Sequence, residues 1–487
     1  MREEGDYLIY DGRQCKLNTV PVDVLIIGGG VQGLVLLDEL KRQGYSAALT
    51  TNSCLGSGQT LHSHGLLNSG YWIIRPELRK TLKEIVLPAA EEMGLQIYGE
   101  DQWFIVAPSS LSEKLCPGWK ACGYEYEEVN IGSLPSGFQE GELRYRADSI
   151  RVFQINEYNY PKRQLIRLLS KGMDEHILYG DIVSFHCAPS EQNTLPENRE
   201  RTITVDTVEI RLHDTGENVI LTPKFIITAA GTGTKRLIRS LQAETSCIES
   251  LTASGADAGA WKQRMEEQLG KVKINKLHMI CIKAPLGILP AASVVLFEYG
   301  LLIVAHVNQD HDDVQHDDRD YVTWYVTPVD PDQTSYDDAP DQAHAEVNKE
   351  LTAAGINNLL RAYPALRQAA EKSDSLVRFT VFAGYKQDIG DQMGVPLCES
   401  LEGFDNVILT LPSVSINAWI NAKNAISLIS TRAKANEFTP ILPFGGSGAK
   451  VGVVNELSDT VEWMRWKELL QAFPGIAQQG AARSLAE

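Results

Sequence analysis

What the chain lacks narrows its chemistry first. None of its eight cysteines (Cys15, Cys54, Cys116, Cys122, Cys187, Cys247, Cys281 and Cys398) stands in a CxxC pair, so a zinc or iron–sulfur centre has no spacing to build on. Their scatter along a long chain is the pattern of reduced thiols in an intracellular protein. Basic charge is also short: 45 Lys and Arg face 63 Asp and Glu, a formal net charge of −18. A surface of that sign repels phosphate backbones and anionic membrane faces, so nucleic acid is not an expected partner. A local basic pocket overrides the global field at short range, which leaves an anionic small molecule open as substrate.

A bilayer-spanning run is missing as well. Residues 24–37, VLIIGGGVQGLVLL, fall short of the ~20 apolar residues a span needs, and glycines and a glutamine interrupt them. The first residues, MREEGDYLIYDGRQCK, are acidic and carry no charged-then-apolar signal. The expectation is a soluble, cytoplasmic chain without repeats or low-complexity tracts. Its 487 residues, 43% hydrophobic and 22% charged, have the make-up of an ordinary globular protein of two or three domains.

The most informative stretch is DVLIIGGGVQG, residues 23–33. Val24 to Ile27 form an apolar, β-branched run, as a buried parallel strand requires. Gly28, Gly30 and Gly33 then fit GxGxxG. The first permits the turn out of the strand, the second lets backbone approach a diphosphate, and the third lets the following helix pack close. Val31 and Gln32 would sit at the helix N-terminus, whose N–H groups favour an anion. The helix ends at Gly44, and a second strand follows over residues 47–50. A strand before and a helix after are the context in which this motif binds a dinucleotide. One part is missing: the second strand ends in Thr50, Thr51 and Asn52, with no acid for the ribose hydroxyls.

Residues 56–71, GSGQTLHSHGLLNSGY, continue the pattern. With the fingerprint, they resemble the FAD-dependent family that includes D-amino-acid oxidase, glycine and sarcosine oxidases, and glycerol-3-phosphate and L-2-hydroxyglutarate dehydrogenases. The local pattern is most similar to the L-2-hydroxyglutarate dehydrogenase branch. FIITAAGTGT (225–234), FAGYKQDIGDQMGVP (382–396) and the segment 407–429 resemble further pieces of the same family. The resemblance implies an α/β fold: a Rossmann-like FAD-binding domain with a parallel sheet, interleaved with an α+β substrate domain on a mixed sheet. It divides the chain into a discontinuous FAD domain (20–75, 155–240 and 380–435), a substrate domain (76–154 and 241–379) and an extension, 436–487, of no assigned role. Ser57, Gln59, Thr60 and His62 would lie in the loop around the flavin, with Thr51 and Asn52 at the ribose. Ala230 and Gly231 would lie against the dinucleotide, and Ser415, Ile416 and Asn417 at the closing strand and helix. The family carries glycines at 411–424, where this chain has LPSVSINAWINAKN; Ser413, Ser415 or Asn417 would have to donate instead.

The resemblance also implies the reaction: oxidation of a CH–OH or CH–NH bond in a small 2-hydroxy acid, amino acid or amine, by hydride transfer to flavin N5. His62 and His64 are candidates for proton transfer, since an imidazole titrates near ~6.5 and is easily tuned. A histidine at the position of His62 can be bonded covalently to flavin in relatives. Lys386 falls where the family places a basic residue near the flavin. Tyr71 and Tyr385 are candidates for a substrate carboxylate, or are core residues. Arg75 and Arg79 stand a helical step apart and could share an anion. The segment 308–320, NQDHDDVQHDDRD, reads as a solvated loop rather than a metal site. A flavin- or nucleotide-binding subunit without turnover, working inside a larger complex, is the competing expectation.

Overall fold

The computed structural model describes residues 19–143, 148–190, 202–307, 321–329, 345–373, 375–390, 394–412, 414–432 and 462–476, with the backbone of short strands at 7–10, 13–16 and 335–336. Ser413, the segment 308–320 and most of 436–487 lie outside the described residues.

The fingerprint strand, Thr19–Ile27, is central in a seven-stranded sheet. Parallel neighbours are Asn218–Thr228 on one side and Ala47–Thr51 on the other; Val407–Leu411 and Ile177–Pro189 extend the parallel core. Antiparallel strands Leu397–Ser400 and Ile203–Leu212 flank it. Strand alternation decides the packing. Val24 and Ile26 face a layer containing the helices Val31–Arg42 and Asn417–Arg432. Leu25 and Ile27 face the helices Thr234–Ala243, Thr245–Ser254 and Ala258–Gly270. A strand covered on both faces must be apolar throughout, as VLII at residues 24–27 is. A hairpin turn at Asp214–Gly216 joins Ile203–Leu212 to Asn218–Thr228, with Gly216 at φ +72°.

The second sheet has nine strands. All its pairings are antiparallel except Ser293–Leu296 with Trp103–Pro108. One face carries the helices Lys349–Ala362, Ala365–Lys372 and Trp466–Ala472. Trp466, Leu469, Phe473 and Ile476 are buried there, so this part of the C-terminal extension closes the core of the second sheet. The other face, with Trp103, Met279, Cys281, Tyr325 and Phe382, packs against Leu66 and Tyr71 of the loop after Ala47–Thr51. Arg378–Ile389 pairs along Val272–Pro285 in this second sheet, so a boundary at 380 passes through one of its strands.

The thiol expectation needs correction for one pair. Cys187 and Cys247 form a disulfide between the strand Ile177–Pro189 and the helix Thr245–Ser254. Sixty residues separate them in the chain, and pairing in the fold brings them together, which cysteine spacing alone does not report. Cys54, Cys116, Cys122, Cys281 and Cys398 are free. No helix among the described residues is long and apolar enough to cross a membrane.

Candidate functional site

The turn after the first strand is built around its glycines. Gly28 has φ +127°, and a Cβ there would lie 2.3 Å from the Ala229 carbonyl oxygen. A Cβ on Gly33 would lie 1.9 Å from the Gly28 oxygen, so helix and strand meet backbone to backbone. Gly30 caps the helix without a side-chain hydrogen bond. The Val31 N–H donates to Thr60 Oγ1 at 3.1 Å, tying the helix start to the following loop. Gly30, Val31 and Gln32 line a cavity of about 1120 Å³, with the helix N-terminus as its wall. That volume lies at the top of the usual ~300–1,000 Å³ for small-molecule sites, which suits a large ligand. The remaining N–H groups of the helix start are available to an anion.

From this turn the lining runs two ways. Toward one end lie Thr50, Thr51, Asn52, Asp181, Phe185 and Arg236. Thr50 Oγ1 is buried there without a partner, a hydroxyl in want of a ligand atom. Thr51 Oγ1 donates to the Ser53 carbonyl at 2.9 Å. Asp181, on the neighbouring strand Ile177–Pro189, puts a carboxylate in the lining; its Oδ2 lies 2.8 Å from His213 Nε2. Toward the other end lie Ser57, Gln59, Thr60, His62, Ala230, Gly231, Phe382, Ala383 and Ser415. Gln32 also joins helices: Asn421 Nδ2 donates to its Oε1 at 3.1 Å, and its Nε2 donates to the Ala418 carbonyl at 3.4 Å. The buried orphan hydroxyl, the glycine cradle and the cavity size together fit a dinucleotide cofactor.

His62 is the titratable side chain at the second end. Its Nδ1 lies 2.9 Å from the Gly58 carbonyl oxygen. A carbonyl only accepts, so Nδ1 carries the proton and Nε2 holds the lone pair. Burial, then the nearby Lys162 cation, holds this imidazole below its ordinary range against the opposing pull of the Gly58 bond. His62 is therefore a neutral base near pH 7. Its ring meets Phe382 edge-on at 5.6 Å, and Gly384 makes the approach possible, since a Cβ there would lie 2.8 Å from His62 Cβ.

The other candidates fall elsewhere. His64 is half-buried and outside the cavity lining, with its Nδ1 closed off from solvent and unpartnered. Burial, with Lys386 and Lys162 adding, pushes it down to about 3. Its carbonyl accepts from His306 Nε2 at 2.7 Å, and Tyr98 Oη holds the other ring nitrogen of His306. Lys386 is outside the lining too; its Nζ lies 3.0 Å from Asp388 Oδ1 and its side chain is 15% exposed, so its charge is already met. Tyr71 is fully buried, and its hydroxyl donates to the Glu125 carbonyl. Tyr385 is buried beside Ile274. Arg79 stacks over Tyr71 at 5.7 Å and donates to the Asn156 carbonyl at 3.0 Å; its partners are thus inside the protein. Gly33, Ile416 and Asn417 shape the site from behind, and Asn417 Nδ2 donates to the Gly394 carbonyl at 3.1 Å. Ser415 Oγ lies 2.8 Å from Tyr160 Oη.

Two buried charges that the sequence reading missed fix the histidine loop. Lys162 holds its near end. Glu157 holds its far end, receiving the Ser69 N–H at 2.9 and 3.0 Å, the Ser69 hydroxyl at 3.0 Å and the Tyr158 N–H at 3.1 Å. Burial nevertheless raises its carboxyl to about 7. Among the described residues no group of three or more His, Cys, Asp or Glu could hold a metal.

Known proteins agree with this architecture. A glycine oxidase structure from Geobacillus kaustophilus superposes with a TM-score of 0.57 at 13% identity, covering 88% of this chain and 100% of that one. The chain has the fold of the FAD-dependent oxidoreductases. A structure of an FAD-dependent oxidoreductase from Pseudomonas aeruginosa gives 0.56 at 16% identity, over 91% and 98% of the two chains. In sequence, the chain is 25% identical over 242 residues to a probable FAD-dependent oxidoreductase of Pseudomonas aeruginosa, over 47% of this chain. The match spans 56% of that relative's length. No family model matches the chain.

Proposed function

We propose that the cavity binds FAD and that the chain oxidises the C–N bond of a small amino acid or amine. The observation that carries the reading is the pairing of a glycine-lined helix N-terminus with a neutral, oriented His62 in one cavity. Residues 28–32 would hold the diphosphate, Thr50, Thr51, Asn52 and Asp181 the adenosine end, and Ala230, Gly231 and Ser415 the region of the ring. FAD, when bound, supplies the two-electron acceptor.

The protein's own task is to bind the substrate, exclude water and manage one proton. Phe382 and Ala383 give the second end of the cavity an apolar wall. An ammonium substrate must become an amine before its C–H bond can be oxidised. His62 Nε2, unprotonated at neutral pH, would take that proton. The buried Lys162 cation biases the region toward a substrate carboxylate. Glycine oxidase among the structural neighbours supports the amine over the 2-hydroxy acid.

The test is spectroscopic. The purified chain should show flavin absorption, or gain it on incubation with FAD, and should bleach anaerobically with small amino acids sooner than with 2-hydroxy acids. His62→Ala should bind FAD and bleach at least about 100-fold more slowly, the usual contribution of a positioned base. A chain that stays colourless with excess FAD overturns the cofactor assignment. A yellow chain that no substrate class bleaches overturns turnover and favours a binding subunit.

A further inference from the structure

Lys162 begins the helix Lys162–Ser170, yet only 5% of it is exposed. The first position of a helix is a poor place for a cation, because the N-terminal end of the dipole is positive. Helix stability therefore does not explain the residue. Its hydrogen bonds do: Nζ donates to the carbonyl oxygens of Leu61 at 2.9 Å and Ser63 at 2.7 Å, the two residues that flank His62. The same ammonium lies 4.6 Å from the centroid of Tyr325, on a strand of the second sheet. One buried cation thus joins this helix, the histidine loop and the second sheet.

We propose that Lys162 is the positioning residue for His62: by clamping the carbonyls on both sides of it, the ammonium presents the imidazole to the cavity in one orientation and as an uncharged base. This rests on His62 being the proton acceptor of the reaction proposed above. Backbone geometry carries the first half, since two bonds to alternate carbonyls leave the intervening residue little freedom to rotate. Charge carries the second. Lys162 disfavours the protonated forms of His62, His64 and His306 alike. The other charged and titratable groups around this loop are Lys386 with its partner Asp388, Tyr160, Tyr325 and Cys281, and, at the loop's far end, Glu157.

Histidine labelled with ¹³C at Cε1 allows the titration of His62 to be followed by NMR in the full chain, with His62→Ala identifying the signal. Lys162→Met should raise the His62 midpoint, as removal of a nearby like charge does. Lys162→Arg, which keeps charge and donors, should restore the wild-type midpoint. If Lys162→Met does not fold, Lys162→Gln replaces it with the same expected rise. An unmoved midpoint in a folded, uncharged variant, or an equal rise in Lys162→Arg, overturns the proposal. The signal comes from the imidazole and not from flavin, so failure here is separate from failure to bind FAD.

Discussion

Replacing Gly33 with alanine should destabilise the chain, although alanine is the better helix former by about 0.8–1 kcal/mol. The added Cβ would sit 1.9 Å from the Gly28 oxygen, 3.1 Å from the Gly28 carbonyl carbon and 3.3 Å from Leu49 Cδ1. The nearest two are backbone atoms of the strand exit, which cannot rotate aside. Relief demands that the helix Val31–Arg42 retreat by roughly an ångström, against a face where Leu34, Val35, Leu36, Leu37 and Leu40 are buried. Overpacking of this kind costs about 1–3 kcal/mol, so a net loss of up to about 2 kcal/mol remains after the propensity gain. Gly270→Ala is the matched control: it lies at the end of the helix Ala258–Gly270, where an added Cβ meets nothing within 4 Å. That substitution should be neutral or gain up to about 1 kcal/mol. Urea unfolding of flavin-stripped proteins measures both, and FAD titration should show weaker binding by Gly33→Ala alone. If Gly33→Ala is as stable as the parent, the close backbone packing inferred at the turn is wrong.

Three further outcomes follow from other parts of the fold. Cys187→Ala with Cys247→Ala should lower stability by about 4 kcal/mol, the loop-entropy value for this separation, and thiol titration should find the pair unreactive in the parent; no change in the urea midpoint would contradict the bridge. His64 and His306, both pushed down to about 3 by burial, stay neutral while the unfolded chain takes up protons near 6.5. Stability should therefore fall as pH drops below about 6.5, by up to about 1.4 kcal/mol per pH unit for each histidine. Glu157, raised to about 7, opposes this between 4.5 and 7, because there the native carboxyl keeps a proton that the unfolded one loses; the slope should steepen below 4.5 and flatten in His306→Gln, and equal slopes would refute the assignment. Asp181→Ala should weaken FAD binding about tenfold, equivalent to about 1.4 kcal/mol, with His62-dependent bleaching intact at saturating FAD; unchanged affinity would remove Asp181 from the adenosine end.

The parts of the site legible in sequence are those written in consecutive residues. Gly28, Gly30 and Gly33 announce themselves because three backbone constraints recur at fixed spacing, and His62 follows within the same loop. Asp181 and Phe185 reach the cavity only through parallel pairing of Ile177–Pro189 with Ala47–Thr51, a register that no local pattern encodes. Lys162 was hidden for another reason. In YPKRQLIRLL it looks like one more polar residue of an amphipathic helix, and its burial depends on the facing sheet. Tyr71 and Arg79 illustrate the converse: residue type suggested ligand contacts, but satisfied partners inside the protein had claimed both side chains. Lys386 lies on the expected strand, and Asp388, two residues on along the same face, neutralises it.

The strand that carries Val381, Phe382 and Ala383 along the cavity is zipped without interruption to Val272–Pro285, from Val272 opposite Ile389 to Lys283 opposite Arg378. A wall held that way does not yield to its contents. A molecule seated there must fit the wall as it stands, a limit on size set by a strand and not by the imidazole proposed to handle the proton.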